Sequence, residues 1–130
     1  GRVAEALDDY RAAIAVWDEQ GRSGDLSYLE YAELVYEARD EPSYGHALAV
    51  LQRYAREDGF PMNVYRERRV WARLASAIGD RATAQLRARE ALEQSLRTES
   101  PYQKHRRLGL VTSIPADEIA ELEALAADVV

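Results

Sequence analysis

Three arginines of this chain are spaced for a common ligand. Arg66, Arg69 and Arg73 follow one another at intervals of three and four residues, and on a helix such residues form one row. A guanidinium group pairs with a carboxylate through two parallel hydrogen bonds, and it stacks on aromatic rings. The row therefore predicts a binding surface for an acidic segment.

The charge of the chain changes along its length in a way that favours this site. Residues 1–60 carry 13 acidic and 6 basic side chains, residues 61–113 carry 5 and 11, and residues 114–130 carry 5 and none. The net charges are −7, +6 and −5, which gives the formal charge of −6. An acidic partner would be attracted to the basic middle. The alternative is that these arginines pair with acidic helices of their own chain or face water, where an exposed pair contributes at most about 1 kcal/mol.

Residue types that carry out chemistry are few and scattered. The chain has no cysteine, and neither His46 nor His105 has a second histidine three or four residues away. A metal site needs three or four convergent ligands, so we expect no metal or other cofactor. No phosphate-binding loop and no serine in a G-x-S-x-G turn is present. The sequence predicts a non-enzymatic protein in which His46 packs or hydrogen-bonds locally.

Nucleic acid and membranes are not expected partners. The densest basic run, residues 104–107, is short and belongs to an acidic chain, whereas binding a phosphate backbone takes several cationic contacts together. No apolar run approaches the ~18 residues that can span a membrane, and no charged-then-apolar leader is present. We therefore expect a cytoplasmic location.

The elements that must position these residues are helical by period. Apolar residues recur every three to four positions, and no stretch alternates as a strand would. Breaks fall at Gly21, Pro42, Gly59 and Gly79, and Asp80 is placed to cap the helix that follows it. The sequence predicts an all-α protein with helices over residues 2–20, 26–40, 44–58, 61–78, 81–97, 101–108 and 116–128.

A frame of mostly small residues recurs on three of these helices. It reads Ala6-x3-Tyr10-x2-Ala13, then Ala47-x3-Leu51-x2-Tyr54, then Ala84-x3-Ala88-x2-Ala91, at intervals of 41 and 37 residues. Small residues on one helix face allow a neighbouring helix to come close, and such intervals indicate a helical repeat. The frame resembles the second helix of a tetratricopeptide (TPR) repeat. The likeness is best in residues 1–14, while Gly79-Asp80 repeats the turn and Trp71-Ala72 stands where the family has Leu-Gly.

The TPR resemblance implies an α-α superhelix (solenoid) of about seven helices in one domain, residues 1–130. It divides the chain into a lone second helix (1–20), units 25–58 and 61–97, and a variant or capping pair (101–130). In TPR arrays the first helix of each pair lines a concave groove, which adds Tyr36 and Arg39 to the arginine row. The implied function is a protein-binding scaffold that holds a partner segment, of acidic character, in this groove.

The first predicted helix has no partner in the TPR frame. Gly1 stands at the position of the family's turn glycine, and the only methionine is Met62, so we expect the chain to be a piece of a longer protein. An unpartnered second helix would expose its apolar face, and open apolar faces promote self-association. We therefore predict a homodimer through helix one, with contacts from Leu7, Tyr10, Ile14 and Trp17.

A second resemblance supplies the alternative function. Phe60-Pro61, the run from Arg66 to Leu74, and Leu108-Gly109-Leu110 before Pro115 are similar to the bacterial transcriptional activation domain of antibiotic-pathway regulators. That likeness implies a regulatory segment of a bacterial transcription factor. A third possibility is an oligomerisation spacer that uses helix one. In every case the last helix, with one apolar stripe and an acidic back, is expected to seal the array.

Overall fold

The computed structural model describes residues 1–21, 25–56, 60–96 and 114–127. These residues form six α-helices and one short 3-10 turn, and no strand occurs among them. The all-α prediction is therefore confirmed for the described residues. The elements are α1 Arg2–Gln20, α2 Ser27–Glu37, the 3-10 turn Glu41–Ser43, α3 Tyr44–Tyr54, α4 Pro61–Ala77, α5 Arg81–Ser95 and α6 Ala116–Ala126. The helix predicted over 101–108 lies outside the described residues, so the seven-helix superhelix stays a prediction.

Several helix ends follow from the residues that the sequence places there. Gly21 and Gly79 adopt φ values of 75° and 85°, a left-handed conformation that glycine takes without steric cost. Asp80 accepts a hydrogen bond from the Thr83 N–H at 3.2 Å, which confirms it as the cap of α5. Pro61 occupies the first turn of α4, where its missing N–H costs nothing.

Two helices end three or four residues earlier than predicted. Arg39 has φ 55°, a left-handed conformation that terminates α2 at Glu37 rather than near residue 40. Ala55 is extended, with φ −59° and ψ 142°, and this conformation ends α3 at Tyr54 rather than near residue 58. Ser43 precedes α3 as predicted, but it makes no side-chain capping bond. Its hydroxyl donates to Asp40 instead, at 2.7 Å.

The chain divides into two compact units, Gly1–Ala55 and Arg56–Val130. The first unit contains α1, α2 and α3, and aromatic rings fill much of its core. Trp17 meets Tyr54 edge-on with 5.8 Å between ring centroids, and Tyr28 lies 6.4 Å from the same ring. The second occurrence of the small-residue frame, on α3, is fully interior. Its members Ala47, Leu51 and Tyr54 are all buried.

The second unit is built on α4, which is buried over most of its length. The third occurrence of the frame, on α5, is also interior, since Ala84, Ala88 and Ala91 are buried. Two of these alanines share a cluster with residues of α4 and α6, and further apolar side chains pack around it. The buried cluster consists of Tyr65, Ala72, Ala88, Ala91 and Leu122, and the side chains around it are Met62, Leu92, Ile114, Leu125 and Ala126.

Candidate protein-interaction site

The predicted arginine row lies on α4 in the second unit. Arg66, Arg69 and Arg73 are half-buried, and their neighbours Val64, Tyr65, Val70 and Trp71 are buried. The row therefore runs along the margin of the buried side of α4 and does not project straight into water.

Two arginines of the row bind carboxylates of α6. Arg69 Nη1 donates to Glu118 Oε1 at 2.9 Å, and Arg73 Nη2 approaches the same oxygen at 3.4 Å. Arg73 also donates to Glu121, from Nη2 at 2.7 Å and from Nε at 3.2 Å. Both arginine side chains are about one-fifth exposed. Arg69 and Arg73 are therefore bridged by the chain's own acidic helix, which is one of the arrangements that the sequence left open.

Tyr65 joins the aromatic and the ionic parts of this surface. Its hydroxyl donates to Glu118 Oε2 at 2.5 Å, and the Arg69 guanidinium lies 5.4 Å from the centroid of its ring. Burial is the main cause that raises the pKa of Tyr65, and the hydrogen bond to Glu118 raises the pKa further. Glu118 thus accepts hydrogen bonds from three side chains of α4, Tyr65, Arg69 and Arg73. Glu121 accepts from Arg73 alone among these contacts.

The apolar part of the surface receives a leucine of α6. Leu122 is completely buried among Tyr65, Ala72, Ala88 and Ala91. The alanines leave room for this side chain because their own side chains end at Cβ. We call the whole surface the α4–α5 face: the acid-binding residues Tyr65, Arg69 and Arg73 beside the apolar floor of Ala72, Ala88 and Ala91.

A second charged cluster lies on α4 and α5, and it was not predicted from the sequence. Glu67 and Arg68 are only 1% and 4% exposed. Arg68 Nε lies 3.3 Å from Glu90 Oε1, to which Arg87 Nη1 donates at 2.7 Å. Trp71 contacts both arginines, with Arg87 Cζ 3.8 Å and Arg68 Cζ 5.6 Å from its ring centroid.

The apolar period of α4 indicates that Glu67, a member of this cluster, is buried. Glu67 stands three residues after Val64 and four before Trp71, so it occupies a position of the buried stripe. Its carboxylate accepts from the backbone N–H of Arg56 at 3.2 and 3.3 Å. A charged residue in a buried stripe needs such partners to offset the loss of water, and here they hold the start of the unit against α4.

The other predicted groove residues belong to the first unit. Tyr36 of α2 is half-buried, and Arg39 in the turn after α2 is exposed. Each unit is a separate compact body, so these two residues join the α4 arginines in one groove only as a prediction.

His46 packs and hydrogen-bonds within its own unit, as the sequence predicted. Its Nδ1 lies 2.7 Å from the Tyr31 hydroxyl, and the two rings meet edge-on. Next to this pair Arg11 donates to Ser43 Oγ at 2.5 Å and approaches Asp40 at 3.3 Å. The cluster ties α1 to the segment before α3, and its polar groups bond to one another.

The premise of the predicted self-association is wrong. Leu7, Ile14 and Trp17 are buried within the first unit, and Tyr10 donates a hydrogen bond to Glu30 of α2 at 3.0 Å. The helix that was expected to lack a partner is covered by α2 and by side chains of α3. Self-association itself stays a prediction, but this face is not open to drive it.

Neither a metal site nor a membrane span is found in the described parts of the chain. No three histidine, cysteine, aspartate or glutamate side chains gather there to hold an ion. No helix of those parts combines the length and the apolarity that crossing a bilayer requires.

Comparison with known proteins yields no relative. No protein-family model, no curated protein and no solved structure matches this chain. The TPR-like relationship and the likeness to transcriptional activation domains therefore remain interpretations of the sequence alone.

Proposed function

We propose that this chain is a non-enzymatic, TPR-like protein-interaction module of the cytoplasm, and that it binds an acidic segment of a partner at the α4–α5 face. The observation that carries the proposal is the double contact of Arg73 with Glu121 beside the contacts of Arg69 and Tyr65 with Glu118. This face engages carboxylates with oriented donors and not merely with a diffuse positive charge.

The chemistry of the face supports an acidic ligand with an apolar anchor. Arginine forks and a tyrosine hydroxyl select carboxylates, and an aromatic ring under a guanidinium keeps it in place. The alanine floor beside them accepts one leucine side chain. Energetic contributions in interfaces concentrate in such a buried anchor with its adjacent polar contacts.

The test is a peptide-display selection against the parent chain and against Arg69→Gln/Arg73→Gln. Arg2→Gln/Arg56→Gln is the matched control, because it removes two positive charges at exposed positions. We expect acidic peptides with a leucine to be enriched on the parent and on the control, and to be lost on Arg69→Gln/Arg73→Gln. Enrichment that is indifferent to the Arg69→Gln/Arg73→Gln change would contradict the proposal, provided that circular dichroism shows all three proteins folded.

A further inference from the structure

The contacts that α6 makes with the α4–α5 face indicate the secondary structure and the residue spacing of the partner segment, and not only its negative charge. This inference rests on the proposed function. We propose that the partner segment is an amphipathic α-helix with carboxylates at positions i and i+3 and leucines at i+4 and i+7, and that it binds by displacing α6. Glu118, Glu121, Leu122 and Leu125 have this spacing in α6. α6 then occupies the α4–α5 face and competes with the partner helix for it.

The ligand must be helical because neighbouring residues contact the same face. Glu121 binds Arg73, while the adjacent Leu122 is buried in the alanine floor. In an extended segment, successive side chains point to opposite sides. On a helix they lie about 100° apart, and residues three and four apart are neighbours. Only a helix therefore brings both carboxylates and both leucines to the α4–α5 face together.

Several features of α6 make it the replaceable element of the second unit. It is 11 residues long, and only Leu122 is buried among its residues, whereas α4 buries ten of its residues. Pro115 at its N-terminus makes no side-chain capping bond, and only Asp117 accepts from a first-turn N–H, that of Glu118. The backbone is extended directly after the helix at Ala127. Helices of this length are marginal in water without tertiary support. Its ion pairs are partly exposed, and water weakens the stabilisation that such pairs provide.

The C-terminal half of α6 also packs incompletely. A cleft of about 420 Å3 lies between it and the helices α4 and α5. Ser76, Arg81 and Gln85 line the cleft on one side, with Ala124, Leu125 and Ala127 on the other. Sparse burial and open space of this kind mark the segments of a protein that open at low free energy.

Occupation by α6 sets the affinity that a partner must have. A segment of the same chain competes at an effective concentration on the order of millimolar, and a partner's apparent affinity falls by the fraction of molecules whose site is open. Weakening α6 without touching α4 should therefore tighten the binding of a helix from outside.

The experiment uses a fluorescent peptide of residues 114–127 of this chain as the probe. Its hosts are the full parent chain, the weakened chain Glu118→Gln/Glu121→Gln, and the control chain Asp117→Asn/Glu123→Gln. A fourth host, Arg69→Gln/Arg73→Gln, alters the site itself. The control removes the same two charges from exposed positions of α6. We expect the peptide to bind the weakened chain at least about tenfold more tightly than the parent and the control. On binding to the parent, amide hydrogen exchange in α6 should accelerate by a similar factor.

The possible failures separate the two proposals. Equal affinity for the parent and the weakened chain, with unchanged exchange in α6, would overturn displacement and leave the proposed function standing. If the peptide binds neither the folded parent chain nor the folded weakened chain, both the displacement and the proposed function are overturned. A parent chain that is a dimer, and that the peptide dissociates, would assign the site to α6 of a second copy and overturn a separate partner. Undiminished binding to Arg69→Gln/Arg73→Gln would place the site elsewhere.

Discussion

Arg73 and Glu121 form a side-on ion pair between α4 and α6. The Nη2 group donates to Oε1 at 2.7 Å, and Nε lies 3.2 Å from each carboxylate oxygen. A guanidinium that offers two N–H groups to one carboxylate fixes the direction as well as the distance of its partner. Together with the contacts of Glu118 and Leu122, this pair orients α6 along α4.

Exchanging the charges of this pair tests its contribution. Arg73→Glu should lower the free energy of unfolding by about 1–2 kcal/mol, because the pair's contribution of up to about 1 kcal/mol is lost and the new carboxylate faces Glu121 and Glu118. Glu121→Arg should lower it by a similar amount, because the new guanidinium faces Arg73. The double exchange Arg73→Glu/Glu121→Arg should recover at least half of the combined loss in urea denaturation. Simple addition of the two losses would show that the pair is not coupled.

Because of Tyr65, the stability of the second unit should depend on pH in the alkaline range. Burial first, and then the hydrogen bond to Glu118, raise the pKa of Tyr65 above its ordinary value of 10.0. The folded protein therefore keeps this proton at pH values where the unfolded chain has lost it. The stabilisation is complete below about pH 10 and is lost as the pH rises through the folded pKa.

The corresponding variant is Tyr65→Phe. At neutral pH it should lower the free energy of unfolding by about 1 kcal/mol, since one hydrogen bond is removed. Between pH 9 and pH 11 its stability should fall less steeply than that of the parent. Tyr54→Phe is a useful comparison, because burial and a hydrogen bond to Asp18 raise the pKa of Tyr54 in the first unit. Parallel decline of parent and Tyr65→Phe would contradict the assignment.

Glu67 should be the most sensitive charged residue of α4. Its removal leaves the backbone N–H of Arg56 without this acceptor. It also removes one of the two carboxylates beside the buried Arg68, the other being Glu90. Glu67→Ala should cost about 2–3 kcal/mol, whereas Glu67→Gln, which keeps an acceptor oxygen, should cost clearly less. Urea denaturation of both variants provides the measurement. A loss below about 0.5 kcal/mol for Glu67→Ala would show that water replaces the carboxylate without penalty.

The helices and the arginine row could be predicted because their signals are local. Apolar period, Gly79 and Asp80 depend on residues a few positions apart, and the same spacing places Arg69 and Arg73 in one row. The pairing of that row with α6 depends on residues about 50 positions away in the chain. The sequence indicates that acidic helices are available, but it does not indicate which one comes to lie on α4.

The errors have the same physical origin. The apolar face of α1 was expected to be open because the TPR frame assigns it no earlier partner, yet Leu7, Ile14 and Trp17 are buried. The later helix α2 packs on α1, and Tyr54 of α3 meets Trp17. Burial depends on the elements that follow as well as on the repeat pattern. Glu67 was overlooked because a charged residue is normally on the surface, although its position in the α4 stripe indicated otherwise.

Arg39 offers a way to separate strain from binding in the predicted groove. Its φ of 55° lies in the left-handed region, where a side chain costs about 1 kcal/mol relative to glycine. Arg39→Gly should therefore raise the free energy of unfolding by about 0.5–1 kcal/mol, while Arg39→Ala, which keeps a Cβ, should not. Because both variants remove the same exposed guanidinium, a role of Arg39 in binding an acidic partner would weaken both equally. Differential scanning calorimetry and peptide titration thus report on two different properties of one residue, and equal stability of the two variants would contradict the strain argument.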